Sequence, residues 1–407
     1  MISFQKAKSI INKHIFELSK ETVPLDESIG RVLADNLVAP FSSPRFDNSA
    51  MDGFAVCSSD TLRASKKIPV ELKMVGISSA GSPYHSKIKS RECVQCMTGA
   101  IIPEGADSVV MVEDTSGFSD SKIVKVMIET YPGKHIRMKG EEVNKGDILI
   151  NRGTTITTNE LGVFATFGYG KLNVSKRPKI SIFGTGDELV DPGKKLKEGQ
   201  IYNSNLYVFS DLTEKAGAEV INRDVIKDDE TSLKLFLKEA LLHSDVIISS
   251  GGVSMGRYDY VRKVFIELGV KEHFWKVAQK PGKPLFFGTK DNKLIFGLPG
   301  NPVSSFIGYM EWVWPVLKHM LGEQQKNNLI GVLDRPFPLE KAKHRFLFGK
   351  VKNKNGKLIC SPTNLVGSHM LSSALDANCI LNSSPGSGSL DVGKTINFNL
   401  LPWKTIE

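Results

Sequence analysis

Ser249-Ser250-Gly251-Gly252-Val253-Ser254-Met255-Gly256-Arg257-Tyr258-Asp259-Tyr260 follows directly on the apolar, β-branched run Asp245-Val246-Ile247-Ile248. Such a run reads as a buried strand. Residues 261–268 have helical apolar spacing, so the strand passes through a small-residue loop into a helix. Glycines let a backbone approach a ligand closely, serines add hydroxyl donors, and a helix start presents free N–H groups to an anion. Asp259 adds a carboxylate that can take a hard metal ion. A loop of this composition suits a phosphorylated ligand.

Outward from this loop, strand and helix alternate over residues 177–326. Lys179-Ile180-Ser181-Ile182-Phe183 reads as a strand ending in Gly184-Thr185-Gly186-Asp187-Glu188. Helices are expected at about 204–215, 230–242 and after Asp259, and a long one at 302–321. Further strands are expected at 218–221, 285–287 and 294–296. The alternation predicts a doubly wound, mainly parallel α/β sheet with right-handed crossovers. Ligands of such sheets sit beyond the carboxyl ends of the strands, where the loops 184–188, 250–256 and 297–302 all fall.

The flanks differ. Residues 1–18 read as an amphipathic helix with Phe4, Ala7, Ile11, Ile15 and Leu18 on one face, and 25–36 as a second helical stretch. Alternating segments within 46–142 predict a small β domain. A strand at Ile148-Leu149-Ile150 and a helix at 160–167 follow. Residues 327–407 read as all-β, with Asn355-Gly356 the strongest short hairpin signal. The expected class is thus multidomain, α/β and β. An N-terminal linker domain (1–45 plus 143–176) and a small β domain (46–142) precede the central α/β domain (177–326). A β-barrel-like C-terminal domain (327–407) ends the chain.

With 407 residues, several domains are expected. Hydrophobic residues at 41% and charged residues at 24% place the chain among globular proteins, not disordered ones. The net charge of +9 is spread along the chain, so the lysines read as solvated surface and small anionic ligands are as well served as nucleic acid. Neither a nucleic-acid nor a membrane partner is expected. The start lacks the apolar core of a signal peptide and no run approaches membrane-spanning length, so a soluble, cytoplasmic protein is expected. Five irregularly spaced cysteines fit a reducing compartment, and Cys93-Val94-Gln95-Cys96 reads as a strand carrying two packing thiols.

The remaining motifs each carry two readings. A lone glycine turn such as 184–188 usually marks only a tight bend. The carboxylates that follow it leave Glu188 either a metal ligand or hydroxyl-orienting group, or a helix cap or solvated acid. Asp228-Asp229 sits before a helix, where acids are ordinary caps, unless the loop faces the glycine site. Oxygen ligands from several loops are what Mg²⁺ needs when it bridges phosphates. Lys276, Lys280 and Lys283 surround Pro281-Gly282 and either converge on an oxyanion or form an exposed basic loop. Gly297-Leu298-Pro299-Gly300-Asn301-Pro302 opens a helix with proline in its first turn, and offers N–H groups to an anion or only caps the helix. Asn48-Ser49-Ala50-Met51-Asp52-Gly53 is a simple turn beside the β domain, or a segment brought to the α/β site by a partner chain in a dimer or by a long-range contact. The eight histidines form no HExxH pair and suggest no Ser–His–Asp order.

Taken with Met97-Thr98-Gly99-Ala100 and Ile136-Arg137-Met138-Lys139-Gly140-Glu141-Glu142, these segments resemble, in order and along nearly the whole chain, the MoeA family of molybdopterin molybdenumtransferases, which includes the E domain of gephyrin. The resemblance implies an elongated, four-domain homodimer whose α/β domain is of the molybdopterin-binding type. It implies an enzyme that takes adenylylated molybdopterin and molybdate, with Mg²⁺, and yields molybdenum cofactor and AMP. Asp52, Thr98, Arg137, Glu188, Asp228 and Asp259 become the implied active-site residues, the first three supplied by the second subunit, with Glu188, Asp228 and Asp259 toward the metal. Gly184, Thr185, Gly186, Ser250, Gly251, Gly252, Ser254, Pro299, Gly300, Asn301 and Pro302 would cradle the substrate. Lys276, Lys280 and Lys283, with looser matches at Arg345 and Ser368, would hold its anions. The family usually carries Asp where this chain has Glu142. Molybdopterin adenylyltransferase and molybdoenzyme maturation proteins are the implied protein partners. An adenylyltransferase-like enzyme, a scaffold, and a tungsten-handling paralogue remain the competing readings.

Overall fold

The structure, a computed structural model, describes residues 1–252, 260–323 and 329–407. The chain forms two compact units: Met1–Asp35, Arg152–Leu161 and Gly170–Glu407 make one, and Asn36–Asn151 with Gly162–Tyr169 the other.

The first unit is built on a six-stranded sheet. Its spatial order is Glu219–Ile226, Lys179–Thr185, Val246–Ser250, Lys293–Leu298, Pro284–Lys290 and Lys271–Lys276. The first four strands are parallel; Pro284–Lys290 runs antiparallel to them, and Lys271–Lys276 pairs antiparallel with it and so runs in their direction again. Strand periodicity sends alternate side chains to opposite faces. Ile180, Ile182, Val246 and Ile248 therefore pack with Leu206, Phe209 and Phe306. Phe183 and Ile247 go the other way, against Leu233, Leu237, Val264 and Phe265. Burying each of these large side chains contributes roughly 1.5–3 kcal/mol, and helices on both faces make the sheet doubly wound, as expected.

The long helix expected at 302–321 is interrupted. Pro302–Gly308 and Trp314–Met320 are α-helical, but Tyr309–Val313 is a π turn. Pro315 has no N–H and cannot close an α-helical bond to the carbonyl of Glu311, so the preceding turn widens.

The C-terminal strands close a five-stranded barrel: His344–Lys354, Lys357–Pro362, Leu329–Leu333, Thr395–Leu400 and Cys379–Ser383, the last pairing back to the first. Leu347, Val351, Leu381 and Phe398 fill it. Asn355 and Gly356 both have positive φ (51° and 78°), the mirror-image turn that the Asn-Gly pair prefers. Gln279–Lys280 adds to the barrel by pairing Gln279 with His344 and Lys280 with Arg345.

Two expectations near the N-terminus are corrected. The first helix is only Phe4–Asn12, capped by Ser3, whose Oγ accepts from the Lys6 N–H at 3.2 Å. Ile15 and Leu18 still pack on the core, but from irregular chain. The segment 25–36 is not a helix. Lys20–Pro24 pairs antiparallel with Lys171–Ser175, a single 3₁₀ turn Leu25–Glu27 follows, and Val32 and Leu33 bridge to Thr155 and Val174.

The second unit carries a five-stranded sheet in the order Ser108–Met111, Gly53–Val56, Glu92–Cys96, Val70–Ser78 and Ile123–Val126. Cys93 and Cys96 are buried free thiols there, which matches their reading as packing residues. Gly53 opens one strand so close to its neighbour that a Cβ would lie 2.0 Å from the Val110 carbonyl oxygen.

Candidate active site

In the first unit the three glycine-bearing loops leave one edge of the sheet together. Gly184 lies opposite Ser250, and Ser250 opposite Leu298, in the parallel register. The Gly251 N–H donates to the Leu298 carbonyl at 3.0 Å. Asn205 ties the loops further: its Nδ2 donates to Ser250 Oγ at 2.8 Å and to the Gly300 carbonyl at 2.7 Å. Sequence reading placed a helix here and missed this role. The signal was the Asn203-Ser204-Asn205 run, polar side chains gathered where a helix opens onto the site. Gly252 has φ +66°, and a Cβ there would meet Val261 Cγ2 at 2.3 Å, so only glycine fits. Ser249, fully buried beside it, has a hydroxyl without a hydrogen-bond partner among the described residues.

Asp228 and Asp229 separate. The Asp229 carboxylate caps the helix Glu230–His243, accepting from the Ser232 N–H at 2.9 Å and its hydroxyl at 2.8 Å. Asp228 faces the glycine loop instead, with Thr185 Oγ1 donating at 3.5 Å, the outer limit of a hydrogen bond. Burial pushes the Asp228 carboxyl up, and the neighbouring charges of Asp187, Glu188 and Asp229 add to this against the Thr185 hydroxyl. The Glu188 carboxylate folds back over Gly186, 2.6 Å from where a Cβ would stand.

These are hard oxygen donors held near one another in like charge, an arrangement that a divalent cation relieves. Among the described residues, no three His, Cys, Asp or Glu side chains form a preassembled metal group. Ser254 and Asp259 lie outside the described residues.

The basic side is more heavily engaged than its sequence implied. Lys280 Nζ donates to the Glu340 carboxylate. Lys276 lies over the Trp275 ring at 3.8 Å, and Lys283 is exposed. Arg345 is buried, and its Nε has no partner among the described residues. Burial pulls its pKa down while Glu340 opposes this. Beneath Lys280 and Lys283, Gln279 fixes the turn: its Nε2 donates to the Gly282 carbonyl at 2.9 Å and its Oε1 accepts from Trp312 Nε1 at 2.9 Å. The opening of the helix Pro302–Gly308 is partly used by the protein itself. The Val303 N–H donates to the Ser368 carbonyl at 3.0 Å, and Asn301 Nδ2 to Ser368 Oγ at 3.1 Å. Pro299 approaches Gly282, with its Cγ 3.9 Å from that residue's Cβ position.

In the second unit, the Thr98 N–H and hydroxyl both donate to Asp52 Oδ1 at 2.7 Å. These bonds, the backbone one foremost, hold the Asp52 carboxyl below its ordinary value. Arg137 is exposed and sits opposite Asn48 in a short antiparallel pair. Glu142 accepts from Ser43 Oγ at 2.8 Å, so its extra methylene is used in a local contact.

Comparisons with known proteins agree along the chain. Residues 2–168 match the MoeA N-terminal region (domain I and II), 181–319 a probable molybdopterin binding domain, and 331–401 the MoeA C-terminal region (domain IV). The chain is 33% identical to the molybdopterin molybdenumtransferase of Haemophilus influenzae, covering 98% of each chain. It is 32% identical to that of Bacillus subtilis, over 95% of this chain and 93% of the relative. Among solved structures, a molybdopterin biosynthesis MoeA protein from Pyrococcus horikoshii superposes with a TM-score of 0.85 at 30% identity, covering 98% of this chain and 99% of that one.

Proposed function

This chain belongs to the MoeA family, and on that premise we propose that it is a molybdopterin molybdenumtransferase of molybdenum cofactor biosynthesis, taking adenylylated molybdopterin and molybdate and releasing AMP. The observation that carries the reading is the meeting of the loops 184–188, 250–252 and 297–302 at one sheet edge, the last two tied through Asn205, with Asp228 turned toward the first. The glycines admit the substrate's phosphates against the backbone, while Asn205 and Thr185 fix the loop geometry.

Asp228 and Glu188, with Asp259, would hold Mg²⁺, which when bound offsets the charge on the phosphoanhydride oxygens. Arg345 presents a buried guanidinium with donor capacity to spare, suited to an oxyanion such as molybdate. Lys280, held by Glu340, and Lys283 add positive charge on the same turn. Fixed donors aimed at charge that grows during reaction supply the stabilisation. In the proposed homodimer, Asp52, Thr98 and Arg137 come from the other copy. The four-domain division is part of the same proposal.

The test mixes purified protein with adenylylated molybdopterin and Mg²⁺, with or without molybdate, and follows AMP by chromatography. The proposal expects molybdate-dependent AMP. Adenylylation of molybdopterin from ATP would favour an adenylyltransferase instead, and no AMP in any arm would favour a binding protein. Equal or better use of tungstate would point to the other metal.

A further inference from the structure

A cavity of about 640 Å³ opens between the helix Phe4–Asn12, the turn Tyr309–Val313 and the outside of the C-terminal barrel. That volume is in the range of small-molecule sites. Its lining includes none of the loop residues assigned above. The helix divides its faces: Phe4, Ala7 and Ile11 are buried, whereas Gln5, Lys8, Ser9 and Asn12, at i, i+3, i+4 and i+7, run along the cavity. The opposite wall is carried by Glu311, His344, Asn382 and Asn399.

Two of these wall groups are buried with bonding capacity to spare. Glu311 is 5% exposed, and Asn399 Nδ2 donates to its Oε1 at 3.0 Å. Burial pushes its carboxyl up, against the opposing charge of Lys8. His344 is 7% exposed and stacks on Phe4 at 4.4 Å. Its Nε2 lies 3.3 Å from Asn382 Oδ1, and its Nδ1 has no partner among the described residues. With Nε2 as the donor to that oxygen, Nδ1 offers a lone pair. Interiors normally satisfy such groups, and π turns of the kind that places Glu311 recur at functional sites. The wall therefore calls for N–H donors, the carboxamides both give and accept, and the exposed Lys8 and Lys13 favour an anion at the mouth.

We propose that this cavity binds a phosphorylated 2-amino-4-oxopyrimidine ring, the ring shared by guanine nucleotides and pterins. Its ring N–H and neighbouring exocyclic amine supply a second donor to Glu311, beside Asn399, and the donor that His344 Nδ1 lacks among the described residues. Its carbonyl accepts from a carboxamide, and its phosphate meets Lys8 and Lys13.

The test is calorimetric titration of the full chain with GMP and with neopterin phosphate. IMP, which lacks the 2-amino group, and inorganic phosphate serve as controls. The proposal expects saturable binding of GMP, of the pterin, or of both, about tenfold or more tighter than of either control. GMP alone assigns the nucleotide source, and the pterin alone the pterin source. Lys8→Glu, on the exposed rim, and Glu311→Gln, of the same shape, each weaken that binding about tenfold and leave AMP release unchanged. Asp228→Ala leaves the binding intact. Equal binding of a control, no binding of either ring, or binding lost in Asp228→Ala but kept in Lys8→Glu overturns the proposal.

Discussion

Asp228 and Asp229 are consecutive, yet their carboxylates serve different structures. Asp229 closes the start of the helix Glu230–His243 through Ser232, whereas Asp228 turns to Thr185 on the glycine loop, where burial and three other acids raise its pKa. One is a cap, the other belongs to the proposed site, and the two roles are separable by substitution.

Asp229→Ala removes the cap and is expected to lower the Tm, with turnover largely retained. Asp228→Asn is expected to do the reverse. Because its carboxyl is raised in the folded state, the stability linked to it is present below the unfolded value of 3.8 and lost as pH rises through the folded one. At neutral pH the wild type therefore carries the repulsion, and the amide relieves it. Thermal unfolding should show a higher Tm for Asp228→Asn near pH 7, a gap that closes toward pH 4 or so, together with a large loss of AMP release.

Asp52 has the opposite sign. The Thr98 N–H and hydroxyl hold it charged, so its contribution is present above the unfolded value and lost as pH falls through the depressed folded one. Thr98→Val removes the hydroxyl and keeps the N–H. Carboxyl NMR titration should then place the Asp52 midpoint higher than in wild type but still below 3.8. An unmoved midpoint would show that the hydroxyl does not contribute.

Gln279 is 1% exposed and joins Trp312 to the Gly282 carbonyl beneath the basic turn. Gln279→Leu strands a buried indole N–H, a loss of about 1–3 kcal/mol. It also frees the turn that carries Lys280 and Lys283. Steady-state kinetics should show KM for adenylylated molybdopterin rising more than kcat falls.

Four of the five cysteines are buried: Cys93, Cys96, Cys360 and Cys379. Burial pushes the Cys93 thiol to about 12 and those of Cys96 and Cys360 to about 11, so they hold little thiolate near neutrality. An aromatic disulfide reagent should modify Cys57 rapidly in the native protein and the other four only on unfolding. Fast reaction of more than one thiol would contradict the packing described.

The central sheet was legible because parallel strands covered on both faces are continuous apolar runs, as at Val246-Ile247-Ile248, and their glycine loops mark the carboxyl ends. The strand Lys271–Lys276 escaped notice because an edge position tolerates the polar Lys271, Glu272, His273 and Lys276. Residues 25–36 have helical apolar spacing, but Pro24 and Gly30 punctuate it and tertiary pairing of Val32 and Leu33 decides the conformation. At the site, Asp228 was legible only as one of two readings, since which way a carboxylate turns depends on a loop distant in sequence. The roles of Asn205, hinted at only by the polar run 203–205, and of Gln279 were missed, because their work is to bridge segments that only the fold brings together.

The most direct test of the central claim counts AMP and pterin-bound molybdenum in one incubation with adenylylated molybdopterin, molybdate and Mg²⁺. The account predicts that both appear in equal amounts with wild-type protein and that both vanish together in Asp228→Ala. Pterin-bound molybdenum formed without AMP, or AMP released equally well without molybdate, would contradict it.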